Sequence, residues 1–460
     1  MTEEVLFPYQ IEGAEWMAKK THALLADEMG LGKSAQAVTA CDIVGAQNIL
    51  VICPASLRVN WSREFQRFSN RTRRCTLIEN YTHRAAPGIT VVSYDLVASG
   101  EHVIKSCRGI EWDVLILDEA HYLKERSARR TRAVYGRNVN DLSIARNARR
   151  IWRLSGTPAP NDASELWTHL KSAGIIKDAF YDFVYRFCSG FDSNWGFKIT
   201  GHKNVPELKL LMSEFMLRRK KDDVMKQLPP IVYSHVTVEK SEVQLDPYFY
   251  ENWRPIGIPK FVAELESADS AVRGALATAS KVSKNNTDDK VKLLSGLSTS
   301  VATLRRYIGL AKLPKILEVL KTELEENPKL KLVLFAVHKD VIECSREALK
   351  KYVPVTVYGQ TPAEKRQRHV DRFQNDPFCR VFIGNITAAG VGITLTAAHE
   401  VVFLESSWVP AENAQAAMRC HRIGQKKSVR VRFFSCAGSV DEDVQRVLIH
   451  KTRELAKIFD

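Results

Sequence analysis

In LLADEMGLGKSAQAV (Leu24 to Val38) a lysine and a hydroxyl follow directly on a Gly-Leu-Gly turn. Residues of these types in this order bind phosphate. The backbone N–H groups of Met29, Gly30, Leu31, Gly32 and Lys33 point at phosphate oxygens, helped by the positive end of the helix that follows. Lys33 would reach the β- and γ-phosphates of a nucleotide, and Ser34 would ligate magnesium. The pattern G-x-x-x-x-G-K-[ST] is met at Gly32, Lys33 and Ser34, but Asp27 stands where its first glycine belongs. That position lies where the chain leaves a strand, so the cradle survives the change.

A second pair of reactive groups sits in VLILDEAHYLKE (Val114 to Glu125). Four apolar residues end in Asp118 and Glu119, which places both carboxylates at the carboxyl edge of a sheet, where ligands of open α/β sheets bind. Asp118 suits a magnesium ion, and Glu119 suits a water that it would orient and deprotonate. Acidic residues after a strand often only cap a helix. Beside a phosphate loop they take on the second meaning.

These groups need strands to carry them. The first third alternates short apolar runs with helical stretches: ALLA (Ala23 to Ala26), ILVIC (Ile49 to Cys53), ITVV (Ile89 to Val92), VLIL (Val114 to Leu117) and IWRL (Ile151 to Leu154). Continuous apolar runs suit parallel strands buried on both faces. The rhythm returns in LVLFA (Leu332 to Ala336), VTVY (Val355 to Tyr358), VFI (Val381 to Ile383), VVFL (Val401 to Leu404) and VRVRFF (Val429 to Phe434). The predicted fold is therefore α/β, two parallel sheets flanked by helices with a polar, mostly helical insertion between them. We set the expected boundaries at 1–168, 169–310 and 311–460, with SKVSKNNTDDK (Ser280 to Lys290) as a flexible loop and the end of the chain as a charged closing helix.

Composition narrows the partners. Lys and Arg outnumber Asp and Glu by 67 to 53, a net charge of +14, which favours a polyanion such as nucleic acid. No apolar run reaches the length of about 20 residues that a membrane helix needs, and MTEEVLFPYQ is no signal peptide. The nine cysteines are scattered without a C-x-x-C pair, which suits buried thiols in a reducing cytosol and argues against structural zinc. There is no H-E-x-x-H, no G-x-S-x-G and no nuclease-like carboxylate cluster.

The phosphate loop, DEAH about 85 residues later and LSGTP (Leu154 to Pro158) together resemble the first lobe of a superfamily-two helicase. The spelling DEMGLGKS, with CPASLRVNWSREF (Cys53 to Phe65), FMLRRKKDDV (Phe215 to Val224) and QAAMRCHRIGQ (Gln415 to Gln425), resembles the Swi/Snf-type ATP-dependent DNA translocases. The resemblance runs from about Leu6 to Lys451 and implies two RecA-like lobes of the P-loop NTPase type, with ATP and Mg2+ as cofactors and double-stranded DNA as partner. It implies that Gln10 reads adenine, that Ser155 and Thr157 couple hydrolysis to lobe movement, and that Gly390 and Gly392 approach nucleotide and nucleic acid. Arg419 and Arg422 match arginines inserted against the γ-phosphate, and their spacing in RCHR would put them on one face of a helical turn.

Met418, Ala389, Thr394 and Val409 depart from the family's usual residues, and Thr394 is similar to the annealing-helicase branch. None of these departures removes a phosphate, metal or finger group. For the polymer, Lys124 to Arg153 holds ten Lys or Arg against two acids, and LRRKK (Leu217 to Lys221) lies at the expected lobe junction. Candidate nucleic-acid contacts are Trp61, Ser93, Arg129, Arg130, Arg218, Arg219 and Lys220, although a Trp isolated between polar residues ordinarily anchors a helix.

The expected activity is ATP hydrolysis coupled to translocation on duplex DNA, with fork remodelling or annealing as specific forms. The alternatives are an RNA or single-strand helicase, which DEAH alone would permit, and a non-catalytic DNA-binding scaffold. The absence of an appended targeting module suggests a bacterial or phage-infected cytoplasm.

Overall fold

The computed structural model describes residues 6–136, 143–193, 196–225, 227–239, 298–389 and 393–439, with short stretches at 441–442, 444–445, 448–449, 452 and 458–459. Gly390, Gly392 and the Ser280–Lys290 loop lie outside the described residues. The chain forms two compact units, Met1–Gln227 with Arg453–Asp460, and Leu228–Thr452.

In the first unit the strands are β1 (His22–Leu25), β2 (Ile49–Cys53), β3 (Cys75–Leu77), β4 (Ile89–Ser93), β5 (Trp112–Asp118) and β6 (Ala148–Leu154). A hairpin follows, β7 (Cys188–Ser193) against β8 (Gly196–His202), then the two-residue β9 (Met216–Leu217). The sheet order is β3-β4-β2-β5-β6-β1-β9, with every pairing parallel. All five residues of β2 and of β4 are buried, the result of helices on both faces. One face packs Leu50, Ile52, Trp112, Leu115 and Leu117 against Val97, Val103 and Val134. A separate cluster joins Leu24 and Ala26 to Leu170, Phe183, Phe187, Leu208 and Met212.

That second cluster corrects the expected domain plan. Residues 169–217 were assigned to a helical insertion, but their helices pack on the first sheet, they include a hairpin, and β9 extends the sheet itself. The end of the chain also belongs here. Ile458 joins the same cluster, and Phe459 lies under Arg218, with the guanidinium 5.3 Å from the ring centre.

The second unit holds β10 (Ile231–Val238), β11 (Leu332–Ala336), β12 (Val355–Val357), β13 (Val381–Asn385), β14 (Glu400–Phe403) and β15 (Val429–Cys436). Their order is β10-β15-β14-β11-β13-β12, again all parallel. Aromatic residues in register tie the centre together, Phe403 stacking on Phe433 at 4.4 Å and lying 5.4 Å from Phe335. The helix Ser298–Glu326 runs from the expected insertion into this unit, where buried Lys312 donates to the Phe434 carbonyl at 2.8 Å and to Asp441 at 2.5 Å. Among the described residues no helix is long and apolar enough to cross a membrane.

Candidate nucleotide site

Register brings the chemistry of the first unit to one line. Leu25 pairs with Leu154, Leu154 with Asp118, and Leu25 with Leu217. The residues that follow these four leave the sheet at the same carboxyl edge: the phosphate loop after β1, Ser155 after β6, Glu119 after β5 and Arg218 after β9. Four segments remote in sequence become neighbours because parallel strands end together.

In the loop itself Gly30 and Gly32 have φ of 89° and 73°, backbone that side chains rarely adopt. A Cβ on Gly32 would also fall 2.2 Å from Gln10 Nε2. The helix Lys33–Ile43 begins directly after Gly32, so its first N–H groups border the loop. Lys33 Nζ donates to the Asp27 carbonyl at 2.7 Å. The Leu31 carbonyl accepts from Tyr9 Oη, Gln10 Nε2 and Gln36 Nε2, each at 3.2 Å, which moors the helix Pro8–Ala18 to the loop. On the other side a Cβ on Gly156 would lie 2.7 Å from Met29 Cγ and 3.3 Å from Lys33 Nζ. The loop after β6 therefore packs directly on the phosphate loop.

Asp27 is not a weakened glycine. It is fully buried, and its two oxygens accept from Arg219 Nε at 3.0 Å, Arg219 Nη2 at 2.6 Å, the Arg219 backbone N–H at 3.1 Å and Gln36 Nε2 at 3.0 Å. A buried carboxylate needs such partners to avoid a large desolvation penalty.

Asp118 is held just as closely. Trp61 Nε1 donates to Oδ2 at 2.8 Å, the Glu119 N–H donates to Oδ1 at 2.9 Å, and Tyr94 Oη donates to the Asp118 carbonyl at 2.9 Å. Burial pushes the Asp118 carboxyl above the usual range, and the Glu119 charge beside it pushes the same way. Glu119 itself sits at φ 50°, a left-handed conformation uncommon for a residue with a side chain. His121 Nδ1 lies 3.3 Å from the Glu119 carboxylate and 3.1 Å from Ser155 Oγ, and the Thr157 N–H donates to Ser155 Oγ at 3.2 Å. Burial lowers the pKa of His121, which favours the neutral ring. His121 thus lies between Glu119 and the loop of Ser155 and Thr157, with its hydrogen bond on the Ser155 side.

The donor chemistry suits magnesium. Ser34 and Asp118 offer hard oxygen ligands, and no group of three or more His, Cys, Asp or Glu residues gathers as a metal site among the described residues. Magnesium is ordinarily held by one or two protein oxygens together with substrate phosphates, rather than by a full protein cage.

Several expected nucleic-acid contacts are corrected by burial. Trp61 is 1% exposed and orients Asp118, so its ring has no face to offer a base. Ser93 is buried and accepts from the Leu96 N–H as a helix cap. Arg219 is committed to Asp27, while Arg218 donates to the carbonyls of Ala26 at 3.2 Å and Gly156 at 3.3 Å. Lys220 and Arg129 remain exposed, and the Arg130 guanidinium lies over the Tyr122 ring at 5.2 Å. Arg153, counted in the basic stretch, is fully buried and donates to Tyr135 Oη at 2.9 Å and Ser172 Oγ at 2.7 Å.

In the second unit Arg419 and Arg422 lie beyond the end of the helix Pro410–Ala417, in a run of turns and not on a helical face as expected. Arg419 is 3% exposed, and its carbonyl accepts from the Leu395 N–H at 2.9 Å. Arg422 Nη1 lies 3.4 Å from Thr394 Oγ1, so the threonine that departs from the family pattern faces an expected finger. Gln425, the last residue of HRIGQ, organises this loop by donating to the carbonyls of Ala398 at 2.8 Å and Cys420 at 3.0 Å. Gln425 closes the QAAMRCHRIGQ stretch, but nothing in that pattern marks it as the organiser of the loop.

A family model described as SNF2-related domain matches residues 9–299. The chain belongs to the SNF2-related family. A second model, Helicase conserved C-terminal domain, matches residues 312–424 of this SNF2-related chain. It is 31% identical over 461 residues to the SWI/SNF-related matrix-associated actin-dependent regulator of chromatin subfamily A-like protein 1 of Xenopus tropicalis, covering 98% of this chain and 45% of that protein. It is 29% identical over 453 residues to the DNA annealing helicase and endonuclease ZRANB3 of Bos taurus, covering 95% of this chain and 39% of that protein. The SNF2-related chain thus spans less than half the length of these two relatives. A solved Sulfolobus solfataricus SWI2/SNF2 ATPase core in complex with dsDNA aligns over 100% of this chain and 97% of its own, with 21% identity and a TM-score of 0.44.

Proposed function

We propose that this chain hydrolyses ATP and couples the hydrolysis to movement along double-stranded DNA, remodelling DNA structures or protein–DNA complexes. One observation carries the ATPase half: Lys33 and Ser34, Asp118 and Glu119, and Ser155 and Thr157 lie at or after the ends of strands that share one register. Lys33 and the loop N–H groups hold the phosphates. Ser34 and Asp118 would hold a magnesium ion, which would supply neutralisation of phosphate charge. Glu119 takes the proton of the attacking water, and His121 relays the change at Glu119 to Ser155 and Thr157.

The DNA half is supported by SNF2 family membership, by the net charge of +14 and by exposed Arg126 and Arg129. A relative named as a DNA annealing helicase favours forked or partly unwound DNA as substrate. The test is the ATPase rate on matched duplex, forked and single-stranded DNA and on RNA. Duplex or forked DNA stimulates most if this reading holds; strongest stimulation by RNA overturns it.

A further inference from the structure

Asp27 and Arg219 belong to stretches with unrelated expected tasks, a phosphate loop and a DNA-contacting linker. We propose instead that Arg219 is a positioning residue for the nucleotide, clasping the adenine-side helix, the phosphate loop and the linker together through Asp27; the proposal rests on the nucleotide reading of the loop.

The guanidinium uses all of its edges internally. Nε and Nη2 form a fork on the Asp27 carboxylate at 3.0 and 2.6 Å, Nη2 also donates to Gln36 Oε1 at 2.7 Å, and Nη1 donates to the Tyr9 carbonyl. Its charge lies 5.3 Å from the centre of the Tyr9 ring. Arg219 thus holds the residue before Gln10, the first residue of the loop pattern and the helix behind the loop. The backbone repeats the connection. The Ala26 N–H donates to the Leu217 carbonyl at 2.7 Å, the Glu28 N–H donates to the Arg219 carbonyl at 2.9 Å, and the Lys221 N–H donates to the Glu28 carboxylate at 2.8 Å.

Gly13 shows that the surroundings are shaped for this clasp. It lies inside the helix Pro8–Ala18, where glycine weakens the helix relative to alanine. A Cβ there would fall 1.9 Å from Gln36 Oε1 and 2.5 Å from Arg219 Nη2. The missing side chain is the space that the guanidinium and the amide occupy. With a side chain only 13% exposed, Arg219 is spent on the nucleotide loop and has little left for a DNA phosphate.

The experiment measures binding of a fluorescent, non-hydrolysable ATP analogue with magnesium, and separately binding of duplex DNA across a salt series. Arg219→Met and Asp27→Asn each weaken the analogue by about tenfold or more, the scale of one charge-assisted hydrogen bond. Arg219→Lys rescues only in part, because an ammonium cannot form the fork. Asp27→Gly with Arg219→Met binds the analogue better than Asp27→Gly alone, since no buried charge is left stranded. Gly13→Ala, which keeps every charge and favours the helix, also weakens the analogue and covers the case in which the charge variants fail to fold. DNA affinity and its salt slope stay at the wild-type values throughout. Folded variants that bind the analogue as wild type does, or that lose DNA binding instead, overturn the clasp. A folded wild-type chain that binds no analogue overturns the nucleotide reading itself, and the clasp with it.

Discussion

Trp61 donates its indole N–H to Oδ2 of Asp118 at 2.8 Å, and the two residues are 57 positions apart. The bond fixes one oxygen of the candidate magnesium ligand and holds down a carboxyl that burial pushes up. Trp61→Phe keeps most of the ring volume and removes the donor. The magnesium concentration giving half-maximal ATP turnover should rise about 5- to 30-fold, the equivalent of a 1–2 kcal/mol hydrogen bond to a charged group. Turnover at saturating magnesium should fall much less, and a magnesium titration at fixed ATP checks both.

Lys33 and Glu119 should separate binding from chemistry. Lys33→Ala removes the ammonium that sits against the Asp27 carbonyl at 2.7 Å and should abolish detectable nucleotide binding. Glu119→Gln keeps the shape of the site and loses the base, so it should bind nucleotide as wild type does and turn it over about 10²- to 10⁴-fold more slowly. Equilibrium binding of a labelled nucleotide beside steady-state turnover measures the split.

Two histidines predict how stability depends on pH. Burial pulls His169 down to about 3 and His22 down to about 4, and the Arg153 charge adds to both shifts. Unfolded, each titrates near 6.5, so between that value and the folded pKa the unfolded chain binds the extra proton. Stability from these groups is complete above pH 6.5 and declines as the pH falls toward 3, by up to roughly 1.4 kcal/mol per pH unit for a fully buried histidine. Thermal melts from pH 7 to pH 4.5 should show the decline, and His169→Gln should flatten it.

The basic stretch should divide by burial. Arg126 and Arg129 are exposed, whereas Arg153 is fully buried against Tyr135 and Ser172. Arg126→Ala and Arg129→Ala should each reduce the salt dependence of duplex binding by about 0.9 in the log–log slope. Arg153→Ala should leave that slope alone and lower the melting temperature, because it strips partners from buried polar groups. Binding isotherms at four salt concentrations, with a melt for each variant, distinguish the two classes.

The sequence carried most of the strands because their burial on both faces leaves unbroken apolar runs. Ile49–Cys53 and Leu332–Ala336 read directly, with ends that the structure keeps. Cys75–Leu77 and Met216–Leu217 did not read at all, because three or two residues are too short to show a period. The hairpin Cys188–His202 lies in a polar stretch whose pattern suggests helix. Site residues with local patterns, Gly32, Lys33, Ser34, Asp118 and Glu119, were legible for the same reason as the long strands. Trp61 and Arg219 were not, since a donor aimed at a carboxylate far along the chain leaves no local trace. A list of charges also records no direction, so Arg153 and Arg219 counted toward a basic surface that neither one faces.

The pairing of Asp27 with Arg219 sets the unit that can be exchanged between nucleotide-binding proteins. A phosphate loop grafted in from a protein with glycine at that position would leave a guanidinium stranded in the interior, however well the graft matched Gly32, Lys33 and Ser34. A linker grafted alone would strand a carboxylate. Loop, linker arginine and the glycine at position 13 form one inheritable module spread over three separate stretches of chain, and a chimera has to carry all three.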